Sequence, residues 1–98
     1  MKIESIVIIP EIEDKLIWKH NVFRYEIEEA IENKPLFRFE RKGKYPDEHV
    51  YSAMSVTDSG RFLVIFFVYK KNKDALIITA RDMTKKERQY YAKYKKKQ

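Results

Sequence analysis

The eight residues from Phe62 to Tyr69, FLVIFFVY, are apolar at every position, and a short run of that kind reads as a strand covered on both faces. Such a strand belongs at the centre of a sheet, so its flanks must supply neighbours. Before it, TDSG at residues 57–60 predicts a tight hairpin, with Gly60 taking the positive φ that a short bulged loop requires. After it, KKNKD at 70–74 predicts a second hairpin loop, leading into a last strand over Ala75–Ala80 that delivers Arg81 at its exit. On the other side, His49–Val56 alternates with Val50, Met54 and Val56 on one face. Leu36–Arg41 sets Phe37 and Phe39 against Arg38 and Glu40, the two-residue period of a half-buried strand. Lys42–Asp47, with Gly43 and Pro46, is a loop.

The first third of the chain has a different period. Ile3–Ile9 is rich in β-branched residues and reads as a strand, stopped by Pro10, which suits the first turn of a helix. Ile12, Leu16 and Ile17 then recur at helical spacing over Glu11–His20, and Asn21 is able to close that helix in the left-handed conformation. A second helix is predicted over Arg24–Glu32, with Phe23, Ile27, Ala30 and Ile31 on one face and its acids on the other. Its N-cap position lacks a capping side chain, so the first-turn acids must compensate the helix dipole. Together these elements predict an α+β class, one domain over residues 1–98, with an antiparallel sheet and helices packed on it.

The C-terminal stretch, RDMTKKERQYYAKYKKKQ, concentrates the charge. From Lys85 onward there are seven basic side chains and one acid, Glu87, which equals the whole chain's net charge of +6. The remainder sums to zero, so an anionic partner is directed to this end. Thr84 with Glu87 three residues later forms a capping box, which starts a helix at Lys85. Lys93–Gln98 reads as a solvated basic tail. No cysteine is present and the histidines are His20 and His49. This removes disulfides, thiolate metal sites and cysteine nucleophiles, leaves no recognisable zinc spacing, and suits a reducing, cytoplasmic setting. The apolar opening is too short to span a bilayer. A basic excess with 14% aromatic residues points first to nucleic acid.

Three anchors resemble the BrnT family of toxin ribonucleases, within the wider RelE-like group of toxin–antitoxin systems. Lys19-His20-Asn21-Val22 resembles the family's KHGV turn; Thr57–Phe62, TDSGRF, resembles its TxxGR hairpin. Ala80-Arg81-Asp82-Met83-Thr84 with Lys86-Glu87-Arg88 and Tyr91 resembles its A-R-x-M-T-x-x-E-R-x-x-Y ending. The order and spacing run over roughly residues 10–95, and the last anchor is the most specific. The departures are Asn21 for a usual Gly, Phe23 near a usual Ser cap and Ser55 near a usual Gly. The resemblance implies a RelE-like fold and metal-free endoribonuclease activity without a cofactor. It also implies a ribbon-helix-helix antitoxin as partner, with DNA reached only through that complex.

RNA cleavage by this route needs a base for the 2′-hydroxyl, positive charge on the phosphate and an acid for the 5′-oxygen. Arg61 and Arg81, one hairpin apart, are expected as phosphate clamps on neighbouring strands. Glu87 and Tyr91 share a helix face as base and as acid or positioner, and His20 is a further acid or base. Lys19, Arg88, Lys95 and Lys96 are expected RNA contacts. Structural roles stand beside these: capping for Glu87, a helix C-terminus for His20, a surface ion pair of Arg81 with Asp82, and half-buried packing for Tyr90, Tyr91 and Tyr94. The function expected is a toxin endoribonuclease, and the alternative is a non-catalytic nucleic-acid-binding module of the same fold.

Overall fold

The computed structural model describes residues 1–96. In chain order the elements are β1 (Ser5–Val7), α1 (Pro10–His20), α2 (Arg24–Glu32), β2 (Leu36–Arg41), β3 (Val50–Val56), β4 (Phe62–Tyr69), β5 (Asp74–Asp82) and α3 (Lys85–Lys95). The strands form a five-stranded sheet in the order β1-β5-β4-β3-β2. The all-apolar strand β4 is at its centre, as its composition requires. The α+β class holds, but the expected antiparallel sheet is mixed. From β2 to β5 the meander is antiparallel, whereas β1 pairs parallel with β5 through Ser5↔Asp74 and Val7↔Leu76. The physical reason is connectivity: α1 and α2 carry the chain from β1 to the far edge, and the meander returns to β1 in β1's own direction.

Local chemistry sets the boundaries. Pro10 opens α1, and Asn21 closes it at φ 54°, ψ 39°, where its amide donates to the Ile17 and Leu16 carbonyls. On α2, where Phe23 offers no capping side chain, Glu26 makes the return half of a capping box, accepting from the Phe23 amide at 3.1 Å. Gly60 has φ 93° within a hairpin closed by Thr57 N donating to Arg61 O at 2.9 Å. Ser55, a further departure from the family pattern, is fully buried, and its hydroxyl has no hydrogen-bond partner among the described residues. Strand β5 continues past Ala80 to Asp82, so Arg81 lies inside the strand, where it is paired with Val64. The basic segment shows no break at Lys93: α3 runs on through Lys95, while Lys97 and Gln98 of the expected tail lie outside the described residues.

The two faces of the sheet are covered unequally. On one face α1 packs over β5 and α2 over β3, enclosing a core that includes Leu16, Val22, Ile27, Ala30, Leu63, Ile65, Phe67 and Ile77. On the other, α3 alone covers a smaller cluster of Leu36, Met54, Val64 and Met83, edged by Phe62, Phe66, Tyr90 and Tyr91. The expectation that β4 is covered on both faces therefore holds over residues 63–65, whereas Phe62 before them is half-buried. Further along, Phe66, Val68 and Tyr69 are only half-buried.

Candidate functional site

Two ionic clusters form at the sheet end carrying the β3–β4 hairpin, one on each face. On the helical-layer side Arg61 sits between α1, α2 and β5. Its Nε donates to Asp82 Oδ1 at 2.7 Å. Nη1 donates to the Asn21 carbonyl at 2.7 Å and to Glu26 Oε1 at 3.0 Å. Nη2 donates to the His20 carbonyl at 3.0 Å and to Asp82 Oδ2 at 3.2 Å. Arg61 thus neutralises the C-terminal end of α1 and joins it to α2 and β5. The Arg61 hydrogen bonds hold the Asp82 carboxyl below its usual range, with the His20 charge a smaller contributor.

On the other face, the exit of β5 and the first turn of α3 build the second cluster. Thr84 caps the helix, its Oγ1 accepting from the Glu87 amide at 3.2 Å while Glu87 Oε1 accepts from the Thr84 amide at 2.8 Å. That reciprocal cap turns the Glu87 carboxylate back over the strand end. There Arg81 meets it as a fork, Nη1 to Oε1 at 2.7 Å and Nη2 to Oε2 at 3.0 Å. Both side chains remain open to solvent, at 35% and 21% exposure. The Arg81 hydrogen bonds depress the Glu87 pKa first, followed by the Thr84 cap, against the opposing effect of burial. Glu87 is therefore a carboxylate at neutral pH. Tyr91 lies one turn further along, edge-on to Phe62 at 6.1 Å, and burial raises its pKa so that it keeps its proton. The Arg88 guanidinium lies 4.1 Å above the Phe62 ring, and Arg81 5.5 Å from that of Phe66.

The site residues expected from sequence are thus divided. Arg81, Glu87, Arg88 and Tyr91 come together on the α3 face. Arg61, expected as a clamp beside Arg81, precedes β4 and turns to the opposite face because Asp82, its partner, alternates with Arg81 along β5. His20 and Lys19 lie at the end of α1, on the Arg61 side. The expected Arg81–Asp82 ion pair is replaced by a bond from Arg81 Nη1 to the Asp82 backbone carbonyl at 3.2 Å. Lys95 donates from Nζ to the Lys34 carbonyl, and Lys96 is the C-cap of α3. Sequence reasoning missed Arg38, whose guanidinium stacks 4.4 Å over Tyr90; its outward place in the alternation of β2 was the available signal. Glu26 was read only as a first-turn acid, yet it is the buried partner of Arg61. Among the described residues no group of three or more His, Cys, Asp or Glu side chains gathers where a metal ion would sit, and no helix is long and apolar enough to cross a membrane.

A small α+β domain with a cation-rich, aromatic-edged helix beside a forked arginine–carboxylate pair has the make-up of a protein that handles nucleic acid. More specifically, residues 11–87 match the family model described as the ribonuclease toxin, BrnT, of type II toxin-antitoxin systems, and the chain belongs to that family. It is a toxin of the ribonuclease kind, with RNA as target and an antitoxin as partner. The match takes in Arg81 and Glu87 and ends before Arg88 and Tyr91. No curated protein matches the chain significantly.

Proposed function

We propose that the chain is a metal-independent endoribonuclease with a RelE-like fold, and that its cleft is the α3 face around Arg81, Glu87, Arg88 and Tyr91. The observation that carries this reading is the half-exposed Arg81–Glu87 fork, 2.7 and 3.0 Å long, at the junction of β5 and α3. A guanidinium fork fits two phosphate oxygens as well as it fits a carboxylate. An incoming RNA phosphate competes with Glu87 for Arg81, and each bond transferred weakens the interaction that holds the Glu87 pKa down. The substrate thereby turns a paired carboxylate into a general base beside the 2′-hydroxyl.

In this reading Arg81 and Arg88 bear the charge that develops on the pentacoordinate phosphate. The Tyr91 hydroxyl, kept protonated by burial, donates toward the leaving 5′-oxygen. Lys95 and Lys96, at the far end of α3, extend the phosphate contacts along the helix. Arg61 is assigned to holding the opposite face, through the His20 and Asn21 backbone carbonyls. The partner is a ribbon-helix-helix antitoxin that covers the α3 face, and DNA is contacted through that complex alone.

The test is incubation of the purified chain, free of antitoxin, with single-stranded RNA in the presence of a chelator. The expected products carry 2′,3′-cyclic phosphate ends. RNA that stays intact with and without added divalent cations sinks the enzymatic reading and leaves the non-catalytic binding module.

A further inference from the structure

We infer that the opposite end of the sheet is a second RNA-binding surface, built by the β2–β3 loop (residues 42–49) and the β4–β5 loop (residues 70–73). The register puts these loops together and away from the cleft. Val50 pairs with Val68 and Tyr69 with Ala75, whereas Arg81 pairs with Val64. From Val64 to Tyr69 is five strand residues, about 17 Å. The loops are fastened to one another: Lys70 Nζ meets Glu48 Oε1 at 2.8 Å, and the Tyr69 amide donates to the His49 carbonyl at 3.2 Å. Gly43 closes the longer loop so tightly that a Cβ there would lie 1.6 Å from the Glu48 carbonyl oxygen. The surface is therefore preformed, which lowers the cost of binding.

Its chemistry is that of a single-strand groove. Residues 41–49 and 70–74 carry six basic side chains, Arg41, Lys42, Lys44, Lys70, Lys71 and Lys73, against three acids, Asp47, Glu48 and Asp74. Glu48 is already paired with Lys70, and Asp74 accepts from the Asn72 side chain at 3.1 Å. A cavity of about 350 Å³ is lined by Lys70, Lys71 and Lys73 against one acid, Asp47, with His49, Tyr51 and Tyr69 between them. A neighbouring one of about 400 Å³ lies beside Lys42, Lys44 and Tyr45, with Pro46 and His49 lining both. The Gly43 amide donates to His49 Nδ1 at 3.4 Å, which ties the imidazole to the loop backbone. Phe39 and Tyr45 are 54% and 57% exposed, and Phe39 is held edge-on to both His49 and Tyr51 at 5.7 Å. Lysines that meet phosphates beside exposed aromatic rings that meet bases favour single-stranded RNA, in which every nucleotide brings both a phosphate and a stacking face. The chain-level charge count conceals this surface because the acids of α1 and α2 offset it.

The choice of occupant rests on the reading of the chain as an RNA-directed toxin; the surface is tested separately from cleavage. A fluorescein-labelled single-stranded 2′-O-methyl oligonucleotide, spanning both ends of the sheet, has no free 2′-hydroxyl and reports binding alone. Its affinity is measured by anisotropy between roughly 50 and 200 mM salt. The triple variant Lys42→Ala, Lys44→Ala, Lys71→Ala should bind about tenfold more weakly at low salt. Its log–log salt slope should flatten by about 2, at roughly 0.7 for each phosphate no longer neutralised by a lysine. The matching Lys→Arg triple variant should bind as the parent does. Unchanged affinity and slope in the alanine variant overturn the proposal. So does an alanine variant that loses poly-glutamate binding and keeps its RNA affinity. If all-ribose RNA is not cut while the 2′-O-methyl strand binds through these lysines, the nuclease reading fails and this surface stands. Cutting with lysine-independent binding is the reverse.

Discussion

Arg61 and Arg81 end up at the same end of one sheet, each facing a carboxylate within hydrogen-bond reach, and they are not equivalent. Arg61 uses all three guanidinium nitrogens on two backbone carbonyls, Glu26 and Asp82, with its side chain 21% exposed. Arg81 uses its two terminal nitrogens on Glu87 and the Asp82 carbonyl, is 35% exposed, and its Nε has no acceptor among the described residues. The first joins three elements of the fold; the second holds a carboxylate that a phosphate displaces. What separates an anchor from a clamp is how many donors are already committed and whether the partner is buried, neither of which is a property of the arginine itself.

The comparison breaks most visibly at Arg81. Arg81→Ala should slow RNA cleavage by about 10²- to 10³-fold, the usual effect of removing one donor to developing charge. The melting temperature should move less than in an Arg61 variant, since Arg81 is 35% exposed and Glu87 keeps the bond from the Thr84 amide. Arg61→Ala should do the opposite. It leaves Glu26, 7% exposed, as a buried charge without its cation, and should lower folding stability by about 3 kcal/mol. Urea unfolding monitored by circular dichroism measures it. Arg61→Lys should rescue little, because a single ammonium does not span acceptors on α1, α2 and β5. Equal losses of cleavage and stability in both variants would dissolve the distinction.

A smaller effect lies in acid. Asp82 and Glu87 both have carboxyl pKa values below their ordinary 3.8 and 4.5, through Arg61 and Arg81 respectively. A depressed carboxyl contributes stability that is fully present above the unfolded-state value and is lost as pH falls through the folded one. Stability should therefore decline from about pH 4.5 downward, where protons first reach the unfolded Glu87. In Arg81→Ala the Glu87 contribution to that decline should shrink, and in Arg61→Ala the Asp82 contribution, each by about 1 kcal/mol or less. Urea titrations between roughly pH 3 and pH 7 separate the two limbs. The Asp82 limb should weaken further with added salt, its side chain being 65% exposed.

Much of this architecture was legible in local chemistry. The period change at Pro35, the apolar run of β4, Asn21, Gly60 and the Thr84–Glu87 box each act over a few residues, and each forms as its chemistry requires. What was illegible depends on register between distant segments. The parallel pairing of β1 is one case, because an isolated apolar stretch does not state its neighbour's direction. The assignment of Arg61 and Arg81 to opposite faces is another. Their separation by one hairpin is plain in sequence, but Arg61 lies just before β4 and Asp82 still belongs to β5, and those boundaries decide which arginine meets which carboxylate. Glu87, given either a cap or a catalytic role, occupies a position where the cap aims the carboxylate at Arg81.

The finest test of the distinction uses the turn that Arg61 holds. Asn21 has φ 54°, a conformation glycine adopts without strain and asparagine tolerates. Asn21→Gly relieves the backbone but adds freedom to the unfolded chain, so alone it should change stability by no more than about 0.5 kcal/mol. The informative quantity is its coupling. Arg61 donates to the Asn21 and His20 carbonyls, so with Arg61 present the folded turn stays fixed whichever residue occupies it. Without Arg61 the glycine turn also loosens in the folded state. That folded-state freedom offsets part of the freedom gained on unfolding, so Asn21→Gly should cost less in the Arg61→Ala background than in the parent by about 0.5 kcal/mol, a non-additivity expected of residues that share a hydrogen bond. Combined with Arg81→Ala, the same substitution should add within about 0.3 kcal/mol, because that arginine shares no side-chain partner with the turn. Coupling to Arg81 in place of Arg61, read from urea midpoints of the double variants, would mean that the two faces respond as one unit and that the anchor and the clamp are a single device.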